Sequence, residues 1–299
     1  MIQTRSAGAW VIDDASGAEP RPAWRLFCFP HAGGGPSFFR PWHAALQPEI
    51  AVRRVLLPGR EWRLDELAFR RMADLIEPLC AGLEPYLDEP YAFFGHSMGA
   101  VVAYEAARRF SAGGRTGPSC LIVSGRRAPA LPGRDRALAG LPDDEFAAEV
   151  ARLNGIPPQV LGEPDLLAML LPTLRADYEL AETYRPLDGG QLDCPVIGYL
   201  GASDPETDYQ RVLSWREVTT GEFTTRVFRG DHFYLKGGRA DVLNAVREDL
   251  RRVAGIGAGR TGTAVGAAPV RDPRGDDPGG GDIAGLAQRA GSQKGVTFQ

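Results

Sequence analysis

Residues Gly95-His96-Ser97-Met98-Gly99 follow the apolar run Tyr91-Ala92-Phe93-Phe94 and lead into Ala100, Val101, Val102 and Ala103. G-x-S-x-G between a strand and a helix is the pattern of a nucleophile elbow, which holds a serine exposed at the edge of a sheet. The corner residue takes strained backbone angles, and side chains beside it would clash, so glycine stands on both flanks. The bland alternative is a serine that merely caps a helix. A serine hydroxyl attacks a carbonyl carbon only when a base removes its proton, so the elbow requires a partner elsewhere in the chain.

Four histidines are available: His31, His43, His96 and His232. His96 adjoins the serine and should point away from it. His43 lies in a helical pattern, and His31 opens a glycine turn. His232 follows the strand-like run Thr224-Thr225-Arg226-Val227-Phe228 at a loop facing the same sheet edge, and is the expected base. A carboxylate must orient it, in the chain order Ser…Asp…His. Asp204 sits directly beyond the buried run Val196-Ile197-Gly198-Tyr199-Leu200-Gly201, with Pro205 fixing the chain after it. Asp208 reads as the N-cap of a following helix. Asp231 adjoins His232, and adjacent residues rarely hold a carboxylate on the ring's Nδ1. Asp204 is therefore the expected orienting acid. The developing oxyanion needs amide donors. The Met98 amide, directly after the nucleophile, is one. The turn Pro30-His31-Ala32-Gly33-Gly34-Gly35 resembles a glycine loop that supplies a second, from Ala32.

These residues need a scaffold. Continuous apolar strands alternate with helical patterns, which implies a mostly parallel sheet covered on both faces. The strand-like runs are WRLFCFP, VRRVLLPG, YAFF, CLIVSG, PVIGYLG and TTRVFRG. Helices are expected over 66–87, kinked or split by Pro78 and Pro85, over 98–110 and over 240–253. Residues 126–190 separate two strands by far more than an ordinary connection and carry helical patterns, so they read as an inserted helical lid. Residues 1–23 read as a loose lead-in to a domain spanning 24–255. Residues 256–299 contain 11 Gly and 3 Pro, the composition of a disordered tail.

Composition narrows the function. Of the 299 residues, 43% are hydrophobic and 24% charged, and the net charge is −4. That balance fits a soluble globular protein and argues against general nucleic-acid binding. No apolar run has the length of a membrane helix. Cys28, Cys80, Cys120 and Cys194 are scattered, which predicts neither a disulfide framework nor a zinc site. With no signal peptide in view, a reducing cytoplasmic setting is expected. No phosphate-binding or dinucleotide-binding glycine motif stands in the required context, and the histidines lack ligand spacing, so no cofactor or metal is expected.

Several stretches together are more particular than the elbow. CFPHAGGGPSFFRPW, LLPGREWRLDE, YAFFGHSMGAVVAYEAARR, LIVSGRRAPALP, LNGIPPQVL, LLPTLRADYELAETYRP and GDHFYL resemble the type II thioesterases, the discrete editing enzymes of polyketide and nonribosomal peptide synthases. The resemblance runs from about residue 24 to about 253. It implies an α/β-hydrolase fold with a helical lid, a triad of Ser97, Asp204 and His232, and oxyanion donors at Ala32 and Met98. It also implies a substrate: a misprimed or stalled acyl group on the phosphopantetheine thiol of an acyl or peptidyl carrier protein. GASDP and GDHF depart from commoner family forms without touching the triad. Two other readings stay open on the sequence: a carboxylesterase or lipase-like hydrolase with the same triad, and a noncatalytic binding protein on a hydrolase scaffold. Arg60, Arg63, Arg126 and Arg127 are candidates for a positive rim that receives an acidic carrier.

Overall fold

Each of the six strand-like runs becomes a strand; the first five place side chains on two buried faces, whereas the edge strand from Phe223 to Phe228 is largely half-buried and leaves Val227 exposed. A computed structural model of the chain describes residues 10–13, 22–87, 90–112, 116–133, 136–156, 158–237 and 239–259. The strands are β1 (Val11–Asp13), β2 (Trp24–Phe29), β3 (Ile50–Val55), β4 (Tyr91–His96), β5 (Cys120–Ser124), β6 (Val196–Gly201) and β7 (Phe223–Phe228). They form one sheet in the order β1-β3-β2-β4-β5-β6-β7, parallel throughout except for β1.

The helices are α1 (Arg40–Leu46), α2 (Met72–Leu83), α3 (Met98–Ala112), α4 (Asp143–Arg152), α5 (Pro158–Leu161), α6 (Pro164–Thr183), α7 (Tyr209–Leu213) and α8 (Ala240–Gly259). On β2 and β4, Phe27, Phe29, Tyr91 and Phe93 join a core with α2 and α3. Their neighbours Leu26, Cys28, Ala92 and Phe94 join a second core with α1 and α8. Burial on both faces is why these strands read as unbroken apolar runs. The inserted segment carries α4, α5 and α6 and has a small core of its own, built from Leu138, Phe146, Val150, Ile156, Leu171 and Leu174.

Four expectations are corrected. Val11–Asp13, inside the supposed loose lead-in, form an edge strand antiparallel to β3, with Val11 and Ile12 buried. Pro78 does not split its helix: α2 runs through it from Met72, and the only break falls at Pro85, in a short 3-10 turn. Pro78 lies on a half-exposed flank and Asp74, whose carbonyl it leaves free, is exposed, so water can serve that carbonyl. Arg60 and Arg63 are not on a rim, as their contacts below show. The tail expected from residue 256 is also corrected at its start, since α8 continues through Gly259; residues 260–299 lie outside the described residues.

Candidate active site

β4 ends at His96 and α3 begins at Met98, so Ser97 is the entire corner between them. It takes φ +55°, a conformation costly for any side-chain-bearing residue. A side chain on Gly95 would collide with the Gly99 carbonyl, and one on Gly99 with the Phe29 carbonyl of β2. The two glycines are thus required by close backbone approach on either side of the serine. The Ser97 amide donates to the Ser124 carbonyl at the end of β5 (2.8 Å), which ties the corner to the sheet.

The turn after β6 and the loop after β7 bring the acid and the expected base together. His232 Nδ1 stands 2.9 Å from Asp204 Oδ2 and 3.1 Å from Oδ1. The Asp204 side chain is fully buried, and its Oδ1 also accepts from the Glu206 amide (2.8 Å). With Nδ1 facing a carboxylate, the ring's other nitrogen, Nε2, is the one free to act as a base. The rival acids are engaged otherwise. Asp208 caps α7 by accepting from the Arg211 amide. Asp231 accepts from the Phe233 amide (2.9 Å) and from Asn154 Nδ2 of the lid (2.8 Å).

Ser97, Met98, Ala32, His31 and His232 line one cavity, roofed by Leu153, Gly155, Tyr178, Ala181 and Glu182 of the lid. Its volume is about 40 Å³, room for a few water molecules. A groove of about 360 Å³ shares Arg126, Arg127, Ala181 and Glu182 with it. In the loop after β2, the Gly33 amide donates to Asp177 Oδ2 (2.7 Å) and the Gly34 amide to the His31 carbonyl (2.9 Å). The Met98 amide lies in the first turn of α3, where helical amides have no partner within the helix.

The other histidines have structural settings. His96 is fully buried, with Nδ1 2.9 Å from Ser124 Oγ, which in turn lies 2.6 Å from the Tyr234 hydroxyl. Burial, then the neighbouring His232 and His31, hold its pKa well below the ordinary value, so it stays neutral. Burial likewise brings His31 down to about 3, helped by His232 and Arg60. His43 pairs with Gln47 on the exposed side of α1 (2.8 Å). Burial raises the thiols of Cys28, Cys120 and Cys194, so none of the three is a competing nucleophile near neutral pH. Among the described residues no group of histidines, cysteines and carboxylates could hold a metal ion.

Of the four arginines considered for a rim, two are interior. Arg60 is 5% exposed and paired with Asp177; Arg63 is 7% exposed and paired with Glu66. Arg126 donates to the Ala181 carbonyl, and with Arg127 it lines the cavity and the groove. The motif spacing of the sequence does not single out Asp177 or Asn154. The available signal for Asp177 was an acid lying in register with Leu171, Leu174 and Leu180, the buried stripe of α6.

The sheet, the elbow and the lid define an α/β hydrolase with a serine at the nucleophile position. The chain belongs to the thioesterase family, whose sequence profile, described as a thioesterase domain, matches residues 24–250. It is 37% identical over 229 residues to the gramicidin S biosynthesis protein GrsT of Aneurinibacillus migulanus, covering 77% of this chain and 90% of that one. With the thioesterase PikA5 of Streptomyces venezuelae it shares 40% identity over 232 residues, 77% of this chain and 82% of the relative. Among solved structures it superimposes on the type II thioesterase BorB from the borrelidin biosynthetic cluster. The TM-score there is 0.74 at 37% identity, over 82% of this chain and 98% of that one.

Proposed function

We propose that this thioesterase is an editing enzyme that removes acyl groups from the phosphopantetheine thiol of carrier proteins in a polyketide or nonribosomal peptide synthase. The observation that carries the mechanism is the Asp204–His232 pair opening onto the same cavity as Ser97. Ser97 Oγ attacks the thioester carbonyl while His232 Nε2 takes its proton. The Ala32 and Met98 amides hold the resulting oxyanion. The tetrahedral intermediate collapses, the C–S bond breaks, and His232 returns the proton to the departing thiolate. A water molecule, deprotonated by His232, then attacks the acyl-Ser97 ester and releases a carboxylic acid and the free hydroxyl.

The carrier-bound substrate is supported by the relatives, which include a gramicidin S biosynthesis protein and a type II thioesterase of the borrelidin cluster. Such a substrate sets the enzyme beside its synthase in the cytoplasm. The cavity supports the need for a movable roof, since about 40 Å³ cannot hold a pantetheine arm with its acyl group. The test uses an acyl carrier protein loaded with a labelled short acyl group, and the matching oxyester as a control. Wild type should release the acid from the carrier. Ser97→Ala should lose at least about 10³-fold in kcat while keeping its fold. Faster turnover of the oxyester than of the carrier thioester would instead make the protein a carboxylesterase.

A further inference from the structure

One ion pair lies beneath the loop after β2, outside the triad. Arg60 and Asp177 come from the LPGRE turn and from lid helix α6, and both are buried, at 5% and 2% exposure. Asp177 Oδ1 accepts from Arg60 Nη2 (2.8 Å), and Oδ2 accepts both from Arg60 Nη1 (2.8 Å) and from the Gly33 amide (2.7 Å). Arg60 Nη1 also donates to the Gly34 carbonyl (3.0 Å), and its Nε and Nη2 donate to the Pro58 carbonyl (3.2 Å each). The guanidinium thus staples the glycine loop, the turn after β3 and α6 to one another.

The lid helix makes two further contacts there. Thr173 Oγ1 donates to the Gly59 carbonyl (2.6 Å). Leu174 packs so closely on Gly33, which has φ +74°, that a side chain on Gly33 would lie 2.5 Å from Leu174 Cδ1. Thr173, Leu174 and Asp177 fall within little more than one turn of α6, on the surface turned to these loops.

We propose that Arg60 and Asp177 are positioning residues for the oxyanion hole, through which the lid helix fixes the direction of the Ala32 amide. This rests on the reading of Ala32 and Met98 as oxyanion donors. The Ala32 N–H belongs to the peptide that carries the His31 carbonyl, and in a trans peptide the two point opposite ways. The His31 carbonyl is turned into the loop by the Gly34 amide, which aims the Ala32 N–H out of it. The next peptide is held by its own amide, on Gly33, which Asp177 engages. Asp177 and the Gly34 amide together therefore fix both peptides that flank Ala32. Since Asp177 rides on α6 and α6 also contributes Tyr178 and Ala181 to the cavity roof, the hole is complete only while α6 is seated. Lifting the roof to admit substrate loosens the hole, and reseating it restores the donor geometry.

A dithioester places sulfur, a weak acceptor, where the thioester presents oxygen, so the rate preference for the thioester reads the oxyanion hole. The probes are the butyryl thioester of N-acetylcysteamine and its dithioester analogue, with kcat and KM measured for both. Truncating one buried partner can unfold the protein by stranding the other charge. The variants are therefore Asp177→Asn and the apolar pair Arg60→Met with Asp177→Leu, a replacement that buried ion pairs commonly tolerate. Thermal melting checks that each is folded. In both, kcat for the thioester should fall by about 10²-fold, as for loss of one donor, with KM little changed. The preference for thioester over dithioester should contract by at least about tenfold. A folded variant that loses both activities equally, or neither, overturns the positioning role. A wild type with no preference between the two substrates removes the oxyanion reading on which it rests.

Discussion

Asp204 gives both carboxylate oxygens to His232 Nδ1, whereas Asp208, four residues on, accepts from a backbone amide at the start of α7. The two acids should therefore respond differently to the same change. Asp204→Asn should lower kcat by about 10⁴, because the amide no longer holds the required ring tautomer. Asp208→Asn should leave kcat and melting temperature almost unaltered, because asparagine caps a helix as well as aspartate does. Steady-state kinetics and a melting curve on each variant decide it; loss of activity in Asp208→Asn would reverse the assignment. The neighbouring His96 controls a different property. Its folded pKa lies well below the ordinary 6.5, with burial the main cause, and His31 is at about 3. The unfolded chain therefore binds protons that the folded chain refuses. These groups leave stability unaffected above about pH 6.5, and stability falls as pH drops below it toward the folded pKa values. Each contributes up to about 1.4 kcal/mol per pH unit over that window. Urea unfolding at about pH 7.5 and 5.5 should show the fall, and His96→Asn should make it shallower; an equal slope would place the acid lability elsewhere. The Asp204–His232 pairing was legible in the sequence because each residue follows a strand, in the chain order Ser…Asp…His. Arg60 and Asp177 were not, because an arginine in a turn looks like surface until a partner 117 residues away is known to reach it.

At the scale of elements, the central strands β2, β4, β5 and β6 could be read directly, since burial on both faces leaves an unbroken apolar run. The ends of α2 could not, because its start and its tolerance of Pro78 depend on which flank meets solvent. Nor could β1, a three-residue edge strand whose pattern is too short to carry a period. The lid was legible as an insertion, but its anchoring was not. Asn154, at φ +59°, holds Asp231 beside His232 through an exposed hydrogen bond. Asp231 thus ties the loop after β7 to the inserted segment. A bond of that kind contributes about 0.5–1.5 kcal/mol, so Asp231→Gly should raise the open population of the lid about two- to tenfold. Hydrogen exchange over residues 136–156 should speed up by that factor while exchange in α3 does not change; unchanged lid exchange would show that the bond holds nothing. Phe146 and Val150 head a small core within the lid, while Leu180 of α6 joins the core on one face of the sheet, so α4 is the part of the lid least tied to the sheet.

At the scale of the whole molecule, the composition of the Gly/Pro-rich tail offers little apolar surface to bury. A chain ended after Gly259 should keep its melting temperature and its turnover; a large loss of either would show that the tail packs or takes part. The cavity that Ser97 and His232 line, about 40 Å³, adjoins a groove of about 360 Å³ through Arg126, Arg127, Ala181 and Glu182, so the approach to the serine is a corridor along the stem of the lid rather than an open bowl.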